Sequence, residues 1–223
     1  MKRVLVLVEG QTEDSFARNV LAPHLFGHNL SLIPKLLKTS DRPGRESSGG
    51  LTSFRRFEKE LRRLLGDSNA AAVTTMIDLY GLPAGFPGAD SLPEGGQAQA
   101  SHLEQALGEH IGDRRFVPFL TLHEFEALLF SDPSQLAEPF PDLSPGVSEE
   151  LRAIRMKFQG PEDIDGGRDT HPSRRIENLI PNFRKRLHGP QIAQRIGLAR
   201  IREQCPHFDG WVRKLESLGA SPP

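Results

Sequence analysis

Residues 3–16 read Arg-Val-Leu-Val-Leu-Val-Glu-Gly-Gln-Thr-Glu-Asp-Ser-Phe, and this stretch decides the fold. The uninterrupted apolar run Val4–Val8 predicts a buried strand of a parallel sheet. Glu9 and the glycine after it end the run, and we expect Thr12 to cap a helix that begins at Glu13. Glu9 therefore stands at the carboxyl edge of a strand, which is where open α/β sheets bind their ligands.

Further apolar runs predict three more strands, over residues 30–37, 70–77 and 116–122. The 30–37 run contains Pro34, which favours an edge strand or a bend, and a polar loop is predicted over 39–50. Apolar residues at helical spacing predict helices over 54–65 and 102–111. Alternating strands and helices indicate an α/β fold with a Rossmann-like, mostly parallel sheet flanked by helices.

The chain after residue 133 differs in pattern, since strand signals stop and short helical segments follow. We expect an α/β domain over 1–133 and a basic α-helical appendage over 134–223 that packs on it. Arg168 to Glu203 contain nine basic and three acidic residues, a local net charge of +6. Such a run is either a solvated helical face or a surface that contacts phosphates. The candidate nucleic-acid-binding residues are Arg174, Arg175, Arg184, Lys185 and Arg186.

Composition bounds the function only loosely. The 223 residues carry a formal net charge of -1, so nucleic-acid binding has to rest on local charge. The single cysteine, Cys205, excludes an internal disulfide and is consistent with the reducing cytoplasm. No run approaches 18 apolar residues, and we therefore predict a cytoplasmic protein without a signal peptide or membrane span.

Acidic residues follow three of the predicted strands. Glu9, Asp78 and the segment 123–126 should meet at one edge of the sheet, and Glu13 lies one helical turn after Glu9. Carboxylates gathered there repel one another unless a hard cation compensates them, and oxygen-rich sites suit Mg²⁺ or Mn²⁺. Zinc is disfavoured because Ala127 occupies the position of the second histidine of a helical zinc motif. The alternative is that each acid is an ordinary helix cap.

Several motifs together resemble one family. They are Glu9-Gly-Gln-Thr-Glu13, Asp78–Pro83, His123–Phe130, Pro161-Glu162, Pro172–Ile176 and Cys205–Phe208. They are similar to an uncharacterised bacterial family of Toprim-like proteins, the domain of unknown function 4276, over nearly the whole chain. The resemblance implies a Toprim-like fold, in which a glutamate follows the first strand and an Asp-x-Asp motif follows the third.

Glu9 and Asp78 match two of the acids of the Toprim pattern, whereas Tyr80 replaces the second aspartate. The pair Glu9 and Glu13 is similar to the Glu-x-x-x-Glu of the nuclease branch, and Glu124 or Glu126 could replace the missing acid. The resemblance thus implies an endonuclease that uses Mg²⁺ or Mn²⁺. The implied catalytic and metal-binding residues are Glu9, Glu13, Asp78, Glu124 and Glu126, with Lys185 or Arg175 as the cation that stabilises the phosphate.

The resemblance also implies a partnership with a separate AAA- or ABC-type ATPase, in defence against phage. The sequence contains no Gly-rich phosphate loop with Lys-Ser/Thr, so ATP hydrolysis would come from that partner. If Tyr80 marks a lost catalytic site, the chain is instead a non-catalytic module that docks on an ATPase or on nucleic acid. A phosphatase-like or nucleotidyl-transfer enzyme with the same metal site is a third interpretation.

Overall fold

The computed structural model describes residues 1–37, 51, 53–164, 167 and 169–220. The predicted loop 39–50 and Arg168 lie outside these residues. Among the described residues, five strands form one sheet with parallel pairing throughout, in the order β2-β1-β3-β4, and β5 also pairs with β3. The strands are β1 (Lys2–Val8), β2 (Leu30–Leu36), β3 (Ala70–Asp78), β4 (Phe116–Val117) and β5 (Leu120–Thr121). The predicted α/β class with a mostly parallel sheet is confirmed.

The first strand lies inside the sheet, as its apolar run predicts. Its side chains alternate between two hydrophobic cores, with Val4, Val6 and Val8 in one and Leu5 and Leu7 in the other. All five are buried, which explains why the run is apolar without alternation. β2 is an edge strand, and its proline therefore removes no hydrogen bond from the interior of the sheet.

The predicted strand 116–122 is split into β4 and β5 because Pro118 interrupts it. Proline has no N–H group to donate to the ladder of the sheet. Two threonine hydroxyls of β3 bond to the interrupted segment instead. Thr74 Oγ1 donates to the Val117 carbonyl. Thr75 Oγ1 donates to the Phe119 carbonyl over 2.8 Å and accepts the Phe119 N–H over 2.9 Å. Pairing resumes at β5, so the end of β3 keeps a neighbour next to Asp78.

The prediction that Thr12 caps the first helix is wrong. The helix begins at Gln11, Gly10 is the N-cap residue, and Thr12 is buried within the first turn. Pro23 does not end this helix, since a π-helical turn precedes it and the helix continues beyond it. The three consecutive segments are α1 (Gln11–Phe16), a π-helix (Ala17–Leu21) and α2 (Ala22–Phe26).

The helices cover both faces of the sheet. One core lies under α3 (Phe54–Leu65) and α4 (Gly96–Ile111), whereas the other joins β1, α1 and α2 to the C-terminal helices. The helical C-terminal region is confirmed, and the domain division at residue 133 stays a prediction. None of the described helices is long and apolar enough to cross a membrane. The remaining helices are a 3₁₀ helix (Phe125–Ser131), α5 (Ser134–Ala137), α6 (Pro145–Met156), a 3₁₀ turn (Pro161–Asp163), α7 (Pro172–Leu179), α8 (Lys185–Ile196), α9 (Leu198–Gln204) and α10 (Pro206–Gly219).

Candidate metal centre

Glu9 lies over the carboxyl edge of the sheet between two neighbouring strands. β1 and β3 pair in parallel register up to Val8 and Met76, so the residues that follow both strands meet at the same edge. The Asp78 N–H donates to Glu9 Oε2 over 3.2 Å, and the Leu51 N–H donates to Oε1 over 3.2 Å. These two backbone donors fix the carboxylate while leaving each oxygen a free lone pair.

Asp78 connects the sheet to the 3₁₀ helix that carries Glu126. Beyond β3 the backbone still pairs with its neighbour, because the Tyr80 N–H donates to the His123 carbonyl over 3.0 Å. The Phe125 N–H then donates to Asp78 Oδ1 over 3.0 Å. The 3₁₀ helix that carries Glu126 is thereby held at the end of β3.

Glu13 turns back from the first helix toward the same edge. Its Oε2 accepts the Gly10 N–H over 2.9 Å, which completes the capping of α1, and its side chain is buried. Burial, together with the charge of Glu9, raises the pKa of Glu13 to about 7. The residue is therefore both a cap and a member of the acidic cluster, so the two interpretations made from sequence are compatible.

Glu124 and Glu126 are buried and share one cation from the C-terminal region. Lys185 Nζ lies 3.6 Å from Glu124 Oε1 and 3.7 Å from Glu126 Oε2. The other oxygen of Glu124 accepts the Ser173 N–H over 3.0 Å and lies 3.2 Å from His171 Nδ1. Residues from the end of β1, α1, the end of β3, the start of the 3₁₀ helix and α8 thus form a single site. We call it the acidic centre (Glu9, Glu13, Asp78, Glu124, Glu126 and Lys185).

Electrostatics in the acidic centre divide its carboxylates into two kinds. Burial raises the pKa of Asp78 well above its ordinary value, and the charges of Glu9 and Glu13 add to this; burial also raises the pKa of Glu126 to about 7. Burial acts in the same direction on Glu124, but Lys185 and the Ser173 N–H outweigh it and its pKa is lowered. Once these carboxylates ionise, one ammonium group leaves a surplus of negative charge that a further cation would relieve.

The residues of the acidic centre fit a hard divalent cation. Their ligand atoms are carboxylate oxygens, which Mg²⁺ and Mn²⁺ prefer. Thr121 Oγ1 is buried and has no hydrogen-bond partner among the described residues, and Thr121 is the register partner of Asp78 on the same face of the sheet. No three of these carboxylates, all within the described residues, bring ligand oxygens within 4.8 Å of one another. Water-mediated ligation, which Mg²⁺ favours, would suit this wider spacing.

The structure brings together all six residues that were predicted as the site, and their roles in metal binding and catalysis stay predictions. It separates Lys185 from Arg175, since Arg175 packs over the Phe158 ring at 5.4 Å and contacts the Thr170 carbonyl. Three of the predicted nucleic-acid-binding residues are exposed on α7 and around the start of α8: Arg174, Arg184 and Arg186.

Sequence reasoning missed two residues that contact the acidic centre, His171 and Ser173. The segment Thr-His-Pro-Ser has the signal of a helix start, with proline at the first helical position. His171 caps α7, and its ring nitrogen Nδ1 lies 3.0 Å from Ser173 Oγ. The N-terminal end of α7 is thereby fastened to Glu124.

A second cluster with ligand-type atoms lies on α2 and α10, away from the acidic centre. His24 Nε2 and His28 Nε2 lie 2.6 Å and 3.6 Å from Glu216 Oε1. The guanidinium of Arg202 lies 2.5 Å from the same oxygen and 3.2 Å from His24 Nε2. Since a cation already occupies this space, we interpret the cluster as an ion-pair network that joins α10 to α2.

Comparison with known proteins places the chain in one family. The family model described as a domain of unknown function (DUF4276) matches residues 8–216, which include every residue of the acidic centre. The chain belongs to the DUF4276 family. No curated protein and no solved structure matches the chain. Membership of DUF4276 agrees with the motifs quoted above, but it assigns no activity.

The acidic centre predicts that the metal-free protein loses stability as the pH rises. Glu13 and Glu126 keep their protons up to about pH 7 in the folded state, whereas they ionise near 4.5 when unfolded. A group whose pKa is higher in the folded than in the unfolded state stabilises the fold at pH values below its unfolded pKa. This stabilisation is lost as the pH rises through its folded pKa. Between about pH 5 and pH 8, we expect the free energy of unfolding to fall by roughly 2–4 kcal/mol, measured by urea denaturation in a chelator.

Manganese should reverse this loss, because metal binding requires deprotonated ligands. The increase in melting temperature on adding Mn²⁺ is expected to be larger at pH 8 than at pH 6. A metal-free stability that stays flat or increases over this range would contradict the electrostatic account of the acidic centre. The same curve for Glu126→Gln, which removes one of the titrating groups and should reduce the loss, serves as the control.

Proposed function

We propose that this DUF4276 protein is a cytoplasmic, divalent-metal-dependent nuclease that hydrolyses phosphodiester bonds of DNA or RNA. One observation carries the proposal. Carboxylates that follow β1, β3 and β5 converge on one edge of a parallel sheet, together with the ammonium group of Lys185. Oxygen ligands for a hard cation next to a fixed positive charge are the combination that phosphodiester hydrolysis requires.

Glu9, Asp78 and one or more of the buried glutamates would hold Mg²⁺ or Mn²⁺. Bound there, the ion supplies positive charge to the attacking water and to the 3′ oxygen that leaves. In this proposal Lys185 contacts a non-bridging phosphate oxygen, which the position of its ammonium at the acidic centre and the 38% exposure of its side chain support. A carboxylate with a pKa of about 7, Glu13 or Glu126, is suited to accept the proton of the water.

The proposed reaction balances as a simple hydrolysis. The oxygen of water forms a bond to phosphorus and the bond from phosphorus to the 3′ oxygen breaks. The proton of the water passes to a carboxylate of the acidic centre, and the 3′ oxygen takes up a proton. The products are a 5′-phosphate and a 3′-hydroxyl end. No cofactor other than the divalent ion is needed.

The surroundings of Lys185 support a nucleic acid as the substrate. Arg184 and Arg186 flank Lys185 and are exposed, and Arg174 is exposed on the neighbouring helix α7. Guanidinium groups next to a phosphodiesterase site could track the sugar–phosphate backbone, with affinity that depends on salt and little on sequence. We further propose, from the family resemblance alone, that a separate AAA- or ABC-type ATPase acts with the protein in defence against phage.

A non-catalytic binding module is the second candidate, and a specific observation favours it. Tyr80 stands where the Toprim pattern has its second aspartate, and, within the described chain, the carboxylates do not converge as closely as the ligands of a bound ion. In this case the acidic centre would be a set of caps and ion pairs that shape a docking surface. The two candidates differ in one measurable property, which is metal-dependent cleavage.

The test is a cleavage assay with purified wild type and Glu9→Gln on plasmid, single-stranded DNA and RNA in Mn²⁺. The wild type should cut at least one substrate, and Glu9→Gln should reduce the rate by about a hundredfold or more, since even partners of metal ligands contribute 10- to 100-fold. Asp67→Asn, which changes an acid beyond the opposite end of β3, should cut like the wild type. Equal cutting by wild type and Glu9→Gln would indicate a contaminant, and no cutting would favour the binding module.

A further inference from the structure

Tyr80 places an aromatic ring at the rim of the acidic centre. It is the only tyrosine of the sequence, and 47% of its surface is exposed. It follows Asp78 by two residues, and its backbone is fixed by the hydrogen bond to the His123 carbonyl. The ring therefore extends from an anchored strand end.

The Tyr80 ring rests on the imidazole of His171. The two ring centroids are 5.7 Å apart, and the ring planes differ by 23°. His171 in turn is held by Glu124 and Ser173, at 3.2 Å and 3.0 Å from its Nδ1. The pair is thus a supported, partly exposed aromatic surface, one side chain away from a carboxylate of the acidic centre.

We propose that Tyr80, supported by His171, is a stacking platform for a nucleobase, and that the substrate of the acidic centre is an unpaired nucleotide strand. This inference rests on the proposed nuclease function and names its substrate class. Aromatic side chains stack on bases of any identity, whereas the bases of a duplex are already stacked on one another and present only their edges. A base seated on Tyr80 would bring its own phosphate toward Asp78 and Lys185, and the exposed arginines near Lys185 would contact neighbouring phosphates.

The departure from the Toprim pattern then has a function of its own. At position 80 an aspartate would offer a further metal ligand, whereas tyrosine offers a flat apolar ring with a polar tip. Position 80 thereby contacts the substrate and does not ligate the metal, while Glu124 and Glu126 supply carboxylates from the start of the adjacent 3₁₀ helix. Single-stranded DNA and RNA share the chemistry that the platform recognises.

The test compares the affinities of four proteins: wild type, Tyr80→Phe, Tyr80→Ala and Phe26→Ala. Fluorescence anisotropy with a labelled single strand of DNA or RNA, and with the matching duplex, is measured with Ca²⁺ in place of Mn²⁺ to slow hydrolysis. Tyr80→Ala should weaken single-strand binding about five- to a hundredfold, and Tyr80→Phe should retain it because the ring remains. Phe26 is also an exposed aromatic residue, but it lies near the start of β2, at the end of the sheet opposite to the carboxyl edge that holds the acidic centre. Phe26→Ala should therefore bind like the wild type.

The outcomes separate the platform from the nuclease. If the wild type cuts in Mn²⁺ but Tyr80→Ala binds single strands with unchanged affinity, the platform is wrong and the nuclease stands. An equal loss of affinity for duplex and single strand in Tyr80→Ala would also overturn the platform, because stacking requires an unpaired base. If the wild type neither binds nor cuts any nucleic acid, the proposed function is wrong and the platform falls with it.

Discussion

Asp78→Asn is expected to abolish metal-dependent cleavage and to make the metal-free protein more stable. Asparagine retains the Oδ1 that accepts the Phe125 N–H, so the connection between β3 and the 3₁₀ helix is kept. It replaces a carboxylate, whose pKa is raised by burial and by the charge of Glu9, with a neutral amide. We expect at least about a hundredfold loss of activity, and a gain of about 1–2 kcal/mol in the free energy of unfolding at pH 8.

The opposite signs of these two effects distinguish a functional site from a structural one. Asp14→Asn is the matched control, because Asp14 lies next to Glu13 but pairs with Arg18 at 2.8 Å outside the acidic centre. It should leave cleavage unchanged and should not increase stability. If Asp78→Asn destabilises the metal-free protein, then Asp78 is a structural acid and the account of charge surplus is wrong.

Lys185→Met is expected to reduce both stability and activity. Methionine keeps the apolar stem but leaves Glu124 and Glu126 without the ammonium that lies within 4 Å of both. Breaking a buried ion pair costs about 3–5 kcal/mol, and the 38% exposure of Lys185 reduces this to roughly 1–3 kcal/mol. If Lys185 also contacts the phosphate, cleavage should fall about a hundredfold. Thermal melting at pH 8 and the cleavage assay measure the two effects.

A second substitution tests the cause of the instability. Glu126→Gln in the Lys185→Met background removes one of the two carboxylates that lose the ammonium, so it should recover about half of the lost stability while leaving activity low. Arg186→Met changes the next residue on α8, which is exposed, and is expected to alter stability by less than about 0.5 kcal/mol. Equal destabilisation by Lys185→Met and Arg186→Met would show that Lys185 does not compensate the acidic centre.

Sequence predicted the sheet and its acids well because both depend on local patterns. An apolar run that is buried on both faces specifies a central strand of a parallel sheet, and parallel strands bring the residues after them to one edge. Glu9, Asp78 and Glu124 follow from these two rules alone. Pro118 could have predicted the break between β4 and β5, since proline cannot donate a hydrogen bond inside a sheet.

The remaining part of the site depends on tertiary packing that no local pattern contains. Lys185 was one of two candidate cations, and only the packing of α8 against α1 and the 3₁₀ helix brings Lys185, and not Arg175, next to the acidic residues. His171 and Ser173 have the pattern of a helix start, which gives no information about the carboxylate that they contact. The cap of α1 was misassigned to Thr12. Gly10 is the N-cap residue and its N–H donates to the Glu13 carboxylate, so the side chain that takes part in the cap is a carboxylate and not a hydroxyl.

The most direct test of the account is anomalous diffraction from crystals soaked in Mn²⁺. We expect one or two anomalous peaks at the carboxyl edge of the sheet, in contact with Glu9, Asp78 and an acid from the 124–126 segment, directly or through water. Peaks should be absent from crystals of Asp78→Asn. A wild-type protein that gives no peak at this edge at millimolar Mn²⁺ would contradict the central claim that the acidic centre binds a divalent cation.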